Sequence, residues 1–388
     1  MLVPAGRETE IASLVRRCPT VEWFVVDHPL PTARNVAAAE AVERFLAGSP
    51  AGLDARSLLV LISGGGSAQL TLPARGLTLD NIAGVSAALM RAGADICELN
   101  TVRKHLERLK GGRAARVVLE GRKGSEPLSV VTLVVSDVIG DHLSVIASGP
   151  FAPDPTTCAD AIEVLKHRGV FRGGAPAVWD HLERGVRGTL EETPKPGDAA
   201  FVQVEHRVIG RNADAVLAAT KAVEELGVQI TAQRLGITGE ASERARAMVA
   251  AVVSGVPHGQ QGAVVWGGET TVTVGEGRGL GGRNQEFVLA AAEAMSTSDV
   301  PPGLMVMSFG TDGIDGSTDA AGAYATGEMW GRLVSEGIDP GAALRDHDSH
   351  RVLDRAGGLI RTGPTGTNVN DVMVAIDWAD ERARRGDR

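Results

Sequence analysis

Runs of apolar residues recur along the chain, and in most of them no polar residue alternates with the apolar ones. Residues 58–62 read LLVLI, residues 128–135 read LSVVTLVV, and residues 304–309 read LMVMSF. Uninterrupted runs of this kind are typical of strands in parallel sheets, where helices bury both faces. Alanine-rich stretches with helical composition separate them, as at 79–92 and 213–226. The pattern predicts alternating strands and helices, and therefore an α/β fold class.

The length of 388 residues is more than one hydrophobic core usually carries, so two α/β domains are expected, with the binding site in a cleft between them. Glycine and proline cluster at 191–198, and a new strand–helix rhythm begins shortly afterwards. We therefore place the first domain at residues 1–200 and the second at 201–388.

Composition and charge exclude several classes of protein. No apolar run approaches the length of a membrane span, and the formal net charge is −9. An acidic chain without a large basic face does not hold nucleic acid or an acidic membrane. Cys18, Cys97 and Cys158 are far apart and form no CxxC pair, which argues against a zinc knuckle and a disulfide framework. We expect a cytoplasmic protein with small-molecule partners, no nucleic acid and no membrane.

The turn after residues 58–62 is the first candidate site, and it consists of Ser63, Gly64, Gly65, Gly66 and Ser67. Glycines lack a Cβ, so backbone N–H groups can approach an anion closely, and the serines add hydroxyl donors. A nucleotide phosphate would fit, although a tight turn without a ligand would use the same glycines. The string matches neither GxGxxG nor GxxxxGK[ST]. Alone, it indicates anion binding and no more.

A basic cluster follows on a predicted helix within residues 95–110. We expect Asn100 or Thr101 to be its N-cap. In an acidic protein such a cluster is a candidate acceptor for phosphates or a carboxylate, and the alternative is a solvated basic face. Its members are Arg103, Lys104, His105, Arg108 and Lys110.

Aspartates and hydroxyl-bearing residues occupy the loops after later strands. Asp137 follows the second apolar run, and Asp312 and Asp315 follow the third. Carboxylates at strand ends are placed as Mg²⁺ ligands or general bases would be, although Asp also favours loops through turns of its own. Thr365 and Asn368 belong to a further polar loop near the end of the chain.

Glycines also mark the second half of the chain. Gly267, Gly268 and Glu269 are expected to interrupt the strand at 263–273 and to form part of a site. A glycine-dense loop then precedes a helix that begins with Arg283. Such a loop is typical of a mobile anion-binding segment, and the alternative is a flexible hairpin with a solvent-facing arginine.

Seven strings, in order, resemble the glycerate kinase family that carries a C-terminal MOFRL domain. They are SGGGSA at 63, LNTVRKHLERLKGGR at 99, SDVIGDHLSVIASGP at 136, GGETTVTV at 267, GGRNQE at 281, GTDGIDGSTDAAG at 310 and TGPTGTNVND at 362. The resemblance implies a Rossmann-like N-terminal α/β domain and a second α/β domain with a MOFRL region at about 262–380. It also implies ATP-dependent phosphorylation of D-glycerate, in most members on the 2-hydroxyl, in the cleft between the domains.

The resemblance also implies roles for particular residues. The glycine turn would line the ATP phosphates, and Arg283 matches an arginine expected to be needed for turnover. We assign Arg103 and Lys104 to the glycerate carboxylate or the transferring phosphate. Asp137, Asp312 and Asp315 would supply Mg²⁺ ligands and a base, with Asp137 and Asp315 as the assigned ligands and Asp312 in the catalytic set. The further nucleotide contacts would be Gly267, Gly268, Glu269, Thr365 and Asn368.

Two other functions stay open. Members of this family have also been labelled hydroxypyruvate reductases, so an NAD(P)-linked reductase is one alternative, and a catalytically silent binding protein is another. We favour the kinase because we identify no GxGxxG spacing with a ribose-binding acid after a predicted strand. The sequence leaves open whether the 2- or the 3-hydroxyl reacts, and whether the protein is a homodimer.

Relatives in this family usually begin several tens of residues earlier, with a βα unit that carries a GKA-type lysine. No GKA occurs in these 388 residues, and the pairs Lys110-Gly111 and Lys123-Gly124 lie in other contexts. We expect weak kinase activity and aggregation from the chain as written, and a gain of both activity and solubility from any upstream in-frame extension. Full activity would mean that another cation, such as Lys104 or Lys110, replaces that lysine.

Overall fold

A computed structural model describes residues 1–48, 57–122, 128–255, 262–275, 279–300 and 303–377. The pair at 123–124 and part of the glycine-dense loop before Arg283 lie outside these residues. The chain forms two compact units: the first comprises residues 1–134 and 141–209, and the second comprises 135–140 and the chain from 210 onward. Both units contain helices and strands, which confirms the predicted α/β class. No helix in the described ranges combines the length and the apolarity that a membrane span requires.

The first unit contains a separate parallel pair, β1 and β2, and a three-stranded sheet with the order β3-β4-β5, in which β3 and β4 are parallel. Its strands are β1 (Leu2–Pro4), β2 (Phe24–Val26), β3 (Ser57–Ile62), β4 (Ser129–Val135) and β5 (Val204–Gly210). Its α-helices are α1 (Glu8–Arg17), α2 (Ala33–Leu46), α3 (Gly66–Gln69), α4 (Leu79–Arg91), α5 (Ile96–Leu106), α6 (Arg113–Gly121), α7 (Cys158–His167) and α8 (Pro176–Val186). Short 3₁₀ turns lie at Ile146–Ser148, Arg172–Gly174 and Ala199–Phe201.

Two hydrophobic clusters hold the first unit together. Helices α4, α5, α7 and α8 pack on one another, and α2 and α6 pack against the sheet. Helix α5, which carries Arg103, Lys104 and His105 of the basic cluster, begins one turn earlier than predicted and ends at Leu106, before Arg108 and Lys110. Its N-cap is Asp95, whose side chain accepts from the N–H of Glu98 at 2.9 Å, while the Glu98 side chain accepts from the N–H of Asp95. This reciprocal capping satisfies two helix-terminal donors, so Asn100 and Thr101 lie inside the helix and the predicted caps are wrong.

Strand β3 is exposed on one face, so the prediction that both of its faces are buried is wrong. Leu58, Val60 and Ile62 pack against the core, whereas Leu59 and Leu61 are 60% and 72% exposed. Burial alternates from residue to residue along β3, as in a strand that packs against the core on one face only, and the strand also lies at the edge of its sheet. The open face lines a cavity of about 640 Å³ in this unit.

The second unit is built on a six-stranded mixed sheet with the order β10-β9-β8-β11-β7-β6. Its strands are β6 (Gln229–Glu240), β7 (Gly262–Thr271), β8 (Leu304–Gly310), β9 (Gly322–Thr326), β10 (Leu359–Ile360) and β11 (Asp371–Asp377). Its helices are α9 (Asn212–Glu225), α10 (Ala241–Gly255), α11 (Arg283–Thr297), α12 (Met329–Ser335), α13 (Pro340–Arg345) and α14 (Ser349–Arg355). One hydrophobic cluster joins α10 and α11 to the sheet, and a separate cluster joins α9 to it. The sheet is therefore covered on both faces.

Strand β7 runs without interruption through the glycines that were expected to break it. Gly267 and Gly268 pair with Val372 and Asp371 of β11, and the irregular register lies on β6 instead. A Cβ on Gly267 would lie 2.1 Å from the Asn212 Oδ1 atom, and one on Gly268 would lie 2.1 Å from the carbonyl oxygen of Ile237. These glycines permit close packing of α9 and β6 on the strand, so the predicted break is wrong.

The exposed face of β3 gives a test. Leu61→Lys places a charge where the side chain is already in water, so we expect little change in the free energy of unfolding and less aggregation, because lysine blocks strand pairing at a sheet edge. Val134→Lys is the matched control on β4, since Val134 pairs with Ile62 and is 2% exposed. It should destabilise strongly by burying a charge. Urea unfolding and light scattering measure both effects; strong destabilisation by Leu61→Lys would contradict the exposed face.

Candidate functional site

The predicted phosphate turn of the first unit adopts a conformation that requires glycine. Gly65 has φ of +80°, in the left-handed region, and caps the short helix α3. A Cβ on Gly66 would lie 2.7 Å from the Cβ of Ala147, so a side chain there would force a shift. Ser63 is exposed, and Gly64, Gly65 and Gly66 are half-buried. The N–H groups of this turn therefore lie near the surface of the unit on a tightly constrained backbone.

Two cations of the basic cluster meet this turn at one atom. The carbonyl oxygen of Ser67 accepts from Arg103 Nη2 at 2.8 Å and from Lys110 Nζ at 2.5 Å. Lys110 is fully buried and also donates to Glu107 Oε1 at 2.6 Å. Burial lowers the pKa of Lys110 to about 8, with Glu107 opposing the shift and Arg103 adding to it. The cluster is thus joined to the glycine turn.

The groups around this turn form a partly satisfied hydrogen-bond network. Ser67 Oγ lies 2.8 Å from Ser148 Oγ, and Ser148 donates to Asn100 Oδ1 at 2.8 Å. Ser148 is buried and has φ of +61°, a strained conformation for a residue other than glycine. Asn100 Nδ2 and Arg103 Nε are buried donors without a hydrogen-bond partner in the described part of the chain. Unpaired buried donors are costly, and an anion would satisfy them.

Lys104 lies apart from this group. Successive residues on a helix are turned by about 100°, so Lys104 faces a different side of α5 from Arg103. Its Nζ atom is buried and lies 3.3 Å from Asp154 Oδ1. The structure brings Arg103 and the turn together and directs Lys104 toward a buried carboxylate.

The second unit holds Arg283 in a bidentate ion pair. Arg283 Nε and Nη2 donate to the two carboxylate oxygens of Asp371 at 2.6 and 2.9 Å, and Nη1 lies 3.2 Å from Glu269 Oε1. Asp371 is fully buried at the start of β11, between Gly268 and Gly310 of the adjacent strands. Burial alone would lower the pKa of Arg283, but Asp371 and then Glu269 raise it above its usual value. Arg283 therefore remains a cation.

Carboxylates surround this arginine. Burial raises the pKa of Glu269, Arg283 opposes that shift, and the charges of Asp371, Asp137 and Asp312 add to it. Burial also raises the pKa of Asp137 and that of Asp371. Arg283 is the positive charge that pairs with Asp371 and Glu269, and a divalent cation would add further positive charge beside this group of carboxylates. No three of these groups bring ligand atoms within 4.8 Å of one another in the described residues. This arrangement fits Mg²⁺, which commonly uses one or two protein carboxylates together with phosphate oxygens and water.

Asp315, assigned above to the metal, caps helix α11. Its two oxygens accept from the backbone N–H groups of Asn284 and Gln285 at 3.1 and 2.9 Å, and from both amide side chains. A buried carboxylate at a helix N-terminus also interacts favourably with the helix dipole. Its hydrogen-bonding capacity is thus largely used by the protein.

The remaining predicted residues shape the neighbouring loops. Asp312 Oδ1 accepts from the N–H of Ile314 at 3.0 Å. Thr365 is exposed and its hydroxyl donates to the carbonyl oxygen of Thr311 at 2.6 Å, while Asn368 Oδ1 accepts from the N–H of Asn370 at 3.0 Å. The bond from Thr365 to Thr311 joins the loop before β11 to the loop after β8, and the other two bonds each stabilise one of these loops.

Sequence reasoning missed Asp371, Asn100 and Ser148 as site residues and left Lys110 without an assigned role. All four lie inside strings that carried the family resemblance, so their positions were visible. Nothing in those strings indicated that Asp371 would receive Arg283, a partner 88 residues away in the chain.

Glycine-rich loops, buried cations and clustered carboxylates are typical of α/β proteins that bind anionic ligands, and the two units of this chain contain all three. A family described as a domain of unknown function (DUF4147) matches residues 3–183, and the MOFRL family matches 262–371. A protein of Pyrococcus horikoshii named glycerate 2-kinase is 36% identical over 90% of this chain and 76% of its own length. The crystal structure of a Thermotoga maritima glycerate kinase is 37% identical, covers 92% of this chain and 80% of its own, and has a TM-score of 0.78. The chain belongs to the glycerate kinase family with a MOFRL domain.

A third relative carries a different name. A protein of Agrobacterium vitis, whose name proposes a hydroxypyruvate reductase, is 38% identical over 96% of this chain and 78% of its own length. A G-x-G-x-x-G spacing does occur at residues 277–282. The glycine spacing therefore does not disfavour a reductase. In a dinucleotide-binding βαβ unit, however, the loop with this spacing and the helix after it connect two parallel strands that are neighbours in the sheet. Here β11 lies between β7 and β8 and is antiparallel to both, which disfavours dinucleotide binding at this loop.

The lowered pKa of Lys110 predicts a dependence of stability on pH. The folded protein releases this proton near pH 8, whereas the unfolded chain retains it until about 10.5, the ordinary value for lysine. Between these values the unfolded state binds more protons, so this group makes stability rise with pH. The test compares the wild type with the double variant Lys110→Met/Glu107→Gln. We expect the difference between their free energies of unfolding, wild type minus variant, to increase from pH 8 to about 10.5.

The matched control is Lys166→Met/Glu163→Gln, because it removes a pair of the same spacing, three residues apart, on an exposed helix surface. Its difference from the wild type should stay flat across this range. Urea unfolding at several pH values measures both. A flat profile for the Lys110 pair as well would contradict the lowered pKa.

Proposed function

We propose that this chain transfers the terminal phosphoryl group of ATP to D-glycerate, on the 2-hydroxyl, with Mg²⁺ as the divalent cation. The observation that carries the proposal is the similarity to proteins named glycerate 2-kinase, which extends over nine-tenths of this chain. Phosphoryl transfer requires little covalent chemistry from a protein; it needs phosphate-binding backbone, cations and a metal. Both polar clusters described above offer groups of these kinds.

In the first unit, we assign phosphate binding to the turn from Ser63 to Ser67. The buried donors without partners, Arg103 Nε and Asn100 Nδ2, support this assignment because an anion would satisfy them. Arg103 Nη2 lies 3.5 Å from Glu107 and Lys104 Nζ lies 3.3 Å from Asp154, but Arg103 keeps a buried donor, Nε, without a partner in the described residues, so it is the better candidate for an anion ligand. Lys110 would act as a positioning residue that holds the Ser67 carbonyl.

In the second unit, we assign Arg283 to the charge that develops during transfer and Asp312 to the proton of the substrate hydroxyl. Asp137 and Glu269 would hold Mg²⁺, because burial raises the pKa of both carboxyl groups and a divalent cation would offset the cost of their charged forms. Glu269 takes the place of Asp315, whose oxygens cap α11. When bound, Mg²⁺ would offset the negative charge of the phosphates.

The kinase and the reductase are separated by two assays on the same preparation. We expect ADP release that requires both D-glycerate and Mg-ATP, and no consumption of NADH or NADPH with hydroxypyruvate. Phosphorus and proton NMR of the product should show the phosphate on the 2-hydroxyl. Consumption of NADH or NADPH alone would overturn the kinase, and a 3-phosphate product would overturn the regiospecificity. Absence of both activities would favour the binding protein.

Arg283 gives a sharper test of mechanism. We expect Arg283→Ala to lower kcat about 10²-fold or more and to change the KM for ATP far less, because charge stabilisation acts mainly in the transition state. The same change leaves Asp371 buried without its partner, which should cost about 3 kcal/mol of stability. Arg283→Lys keeps a positive charge beside Asp371 but loses the paired donors, so it should restore stability more than turnover.

The control is Arg246→Ala, which removes an arginine paired with Glu293 on the exposed side of α10 and α11. Its kinetics should match the wild type. Rates are compared well below each melting temperature, with circular dichroism to verify folding. Normal kcat in folded Arg283→Ala would remove Arg283 from the mechanism and leave it a structural role.

A further inference from the structure

Three metal-binding side chains of different types meet inside the first unit. His105 on α5, Cys158 at the start of α7 and Glu192 in the segment after α8 bring one ligand atom each within 4.8 Å of one another. No other such group of three occurs among the residues that the structure describes. Their sequence spacing matches no zinc motif, so only the fold brings them together. None of them has a role in the proposed phosphoryl transfer.

The spacing of these atoms is that of a tetrahedral ion site. Glu192 Oε1 lies 3.0 Å from His105 Nε2 and 3.4 Å from Cys158 Sγ. Zinc lies about 2.0–2.3 Å from nitrogen, oxygen and sulfur ligands, so two ligands of one tetrahedral ion are separated by about 3.3–3.6 Å. The measured separations lie close to this range. One imidazole, one thiol and carboxylate oxygens are also the ligand types that zinc uses.

The orientation of His105 directs a nitrogen lone pair into this cluster. His105 Nδ1 lies 2.7 Å from the carbonyl oxygen of Thr101, which can only accept, so Nδ1 carries a proton. Zinc-bound histidines commonly make this outer hydrogen bond, because it fixes the ring and its tautomer. In that tautomer Nε2 faces the oxygens of Glu192 and Asp154 without a hydrogen. Either a second proton or a metal ion must lie between them.

A second buried carboxylate lies beside this cluster. Asp154 is fully buried, and its Oδ2 atom has no hydrogen-bond partner within the described ranges. This oxygen lies 3.9 Å from His105 Nε2. The other oxygen, Oδ1, accepts from Lys104 and Thr156. Asp154 is not among the residues whose ligand atoms all lie within 4.8 Å of one another, so its negative charge would stabilise a bound cation without coordinating it.

We propose that the first unit binds one Zn²⁺ ion through His105 Nε2, Cys158 Sγ and Glu192 Oε1. Three protein ligands leave a fourth position of the tetrahedron for water. The thiol releases its proton to water as the sulfur–zinc bond forms, so no oxidant or reductant is needed. The ion would link α5, α7 and the segment after α8, and so fix the helix that carries Arg103 and Lys104. The proposal does not depend on the kinase function.

The test uses the full chain and two metal ions. We expect about one Zn²⁺ per chain in the purified protein. After removal by a chelator, Co²⁺ should give the visible bands of a tetrahedral complex and a thiolate charge-transfer band in the near ultraviolet. Cys158→Ser should abolish the thiolate band and weaken zinc binding at least about tenfold in a chelator competition. Cys97→Ser is the matched control, because Cys97 is exposed, and should change neither.

Two results would overturn the site. A purified wild type that neither contains zinc nor shows the thiolate band with Co²⁺ would mean that a proton, not a metal, lies between His105 and the carboxylates. This measurement needs no variant, so a folding defect in Cys158→Ser cannot obscure it. A thiolate band that survives in folded Cys158→Ser would place the metal on another cysteine. Glu192→Gln should weaken zinc binding while keeping the thiolate band. None of these measurements depends on ADP release.

Discussion

The ion pair between Arg283 and Asp371 organises the second unit, because neither charge could be placed there without the other. Asp371 opens the strand that lies between β7 and β8, and Arg283 opens the helix packed against the sheet. The pair thus joins the middle of the sheet to its most buried helix. Glycines at positions 268 and 310 of the neighbouring strands leave Asp371 without a side chain beside it on either strand. Glu269 reaches Arg283 from the next position on β7, so its place follows from the same pair.

The first unit also contains a buried charge that the protein balances, and here the cation contacts a backbone oxygen. Lys110 is enclosed, and its ammonium group is balanced by Glu107 and by the carbonyl of Ser67. The turn that precedes α3 is held by this contact and by the strained backbone at Ser148. In both units, therefore, a glycine-rich segment is positioned by a cation that the protein itself partly neutralises. Such preorganised cations attract anions at little cost of rearrangement.

The types of secondary-structure element and the family could be predicted from the sequence, whereas few of the side-chain pairs could. Helices α4 and α9 have the bounds predicted at 79–92 and 213–226 to within one residue, and the resemblance to the glycerate kinase family is confirmed by relatives that cover most of the chain. The prediction for β3 was wrong because an apolar run does not reveal whether a second layer covers the other face of the sheet. The cap of α5 could have been found, since Asp95 and Glu98 form a local capping signature. The Arg283 pair and the cluster at His105 could not, because their members are distant in the chain.

Helix α11 is buried along nearly its whole length, from Asn284 through Ala292 and again at Met295. A helix enclosed in this way cannot slide or rotate without opening cavities in a close-packed interior. The guanidinium at its first residue is therefore immobilised before any ligand arrives, and its conformational entropy has already been lost during folding. A ligand that meets Arg283 has little further ordering to impose. Tolerance to substitution should consequently be lowest among the small residues Ala290, Ala291 and Ala292, whose enlargement would displace the arginine from a distance.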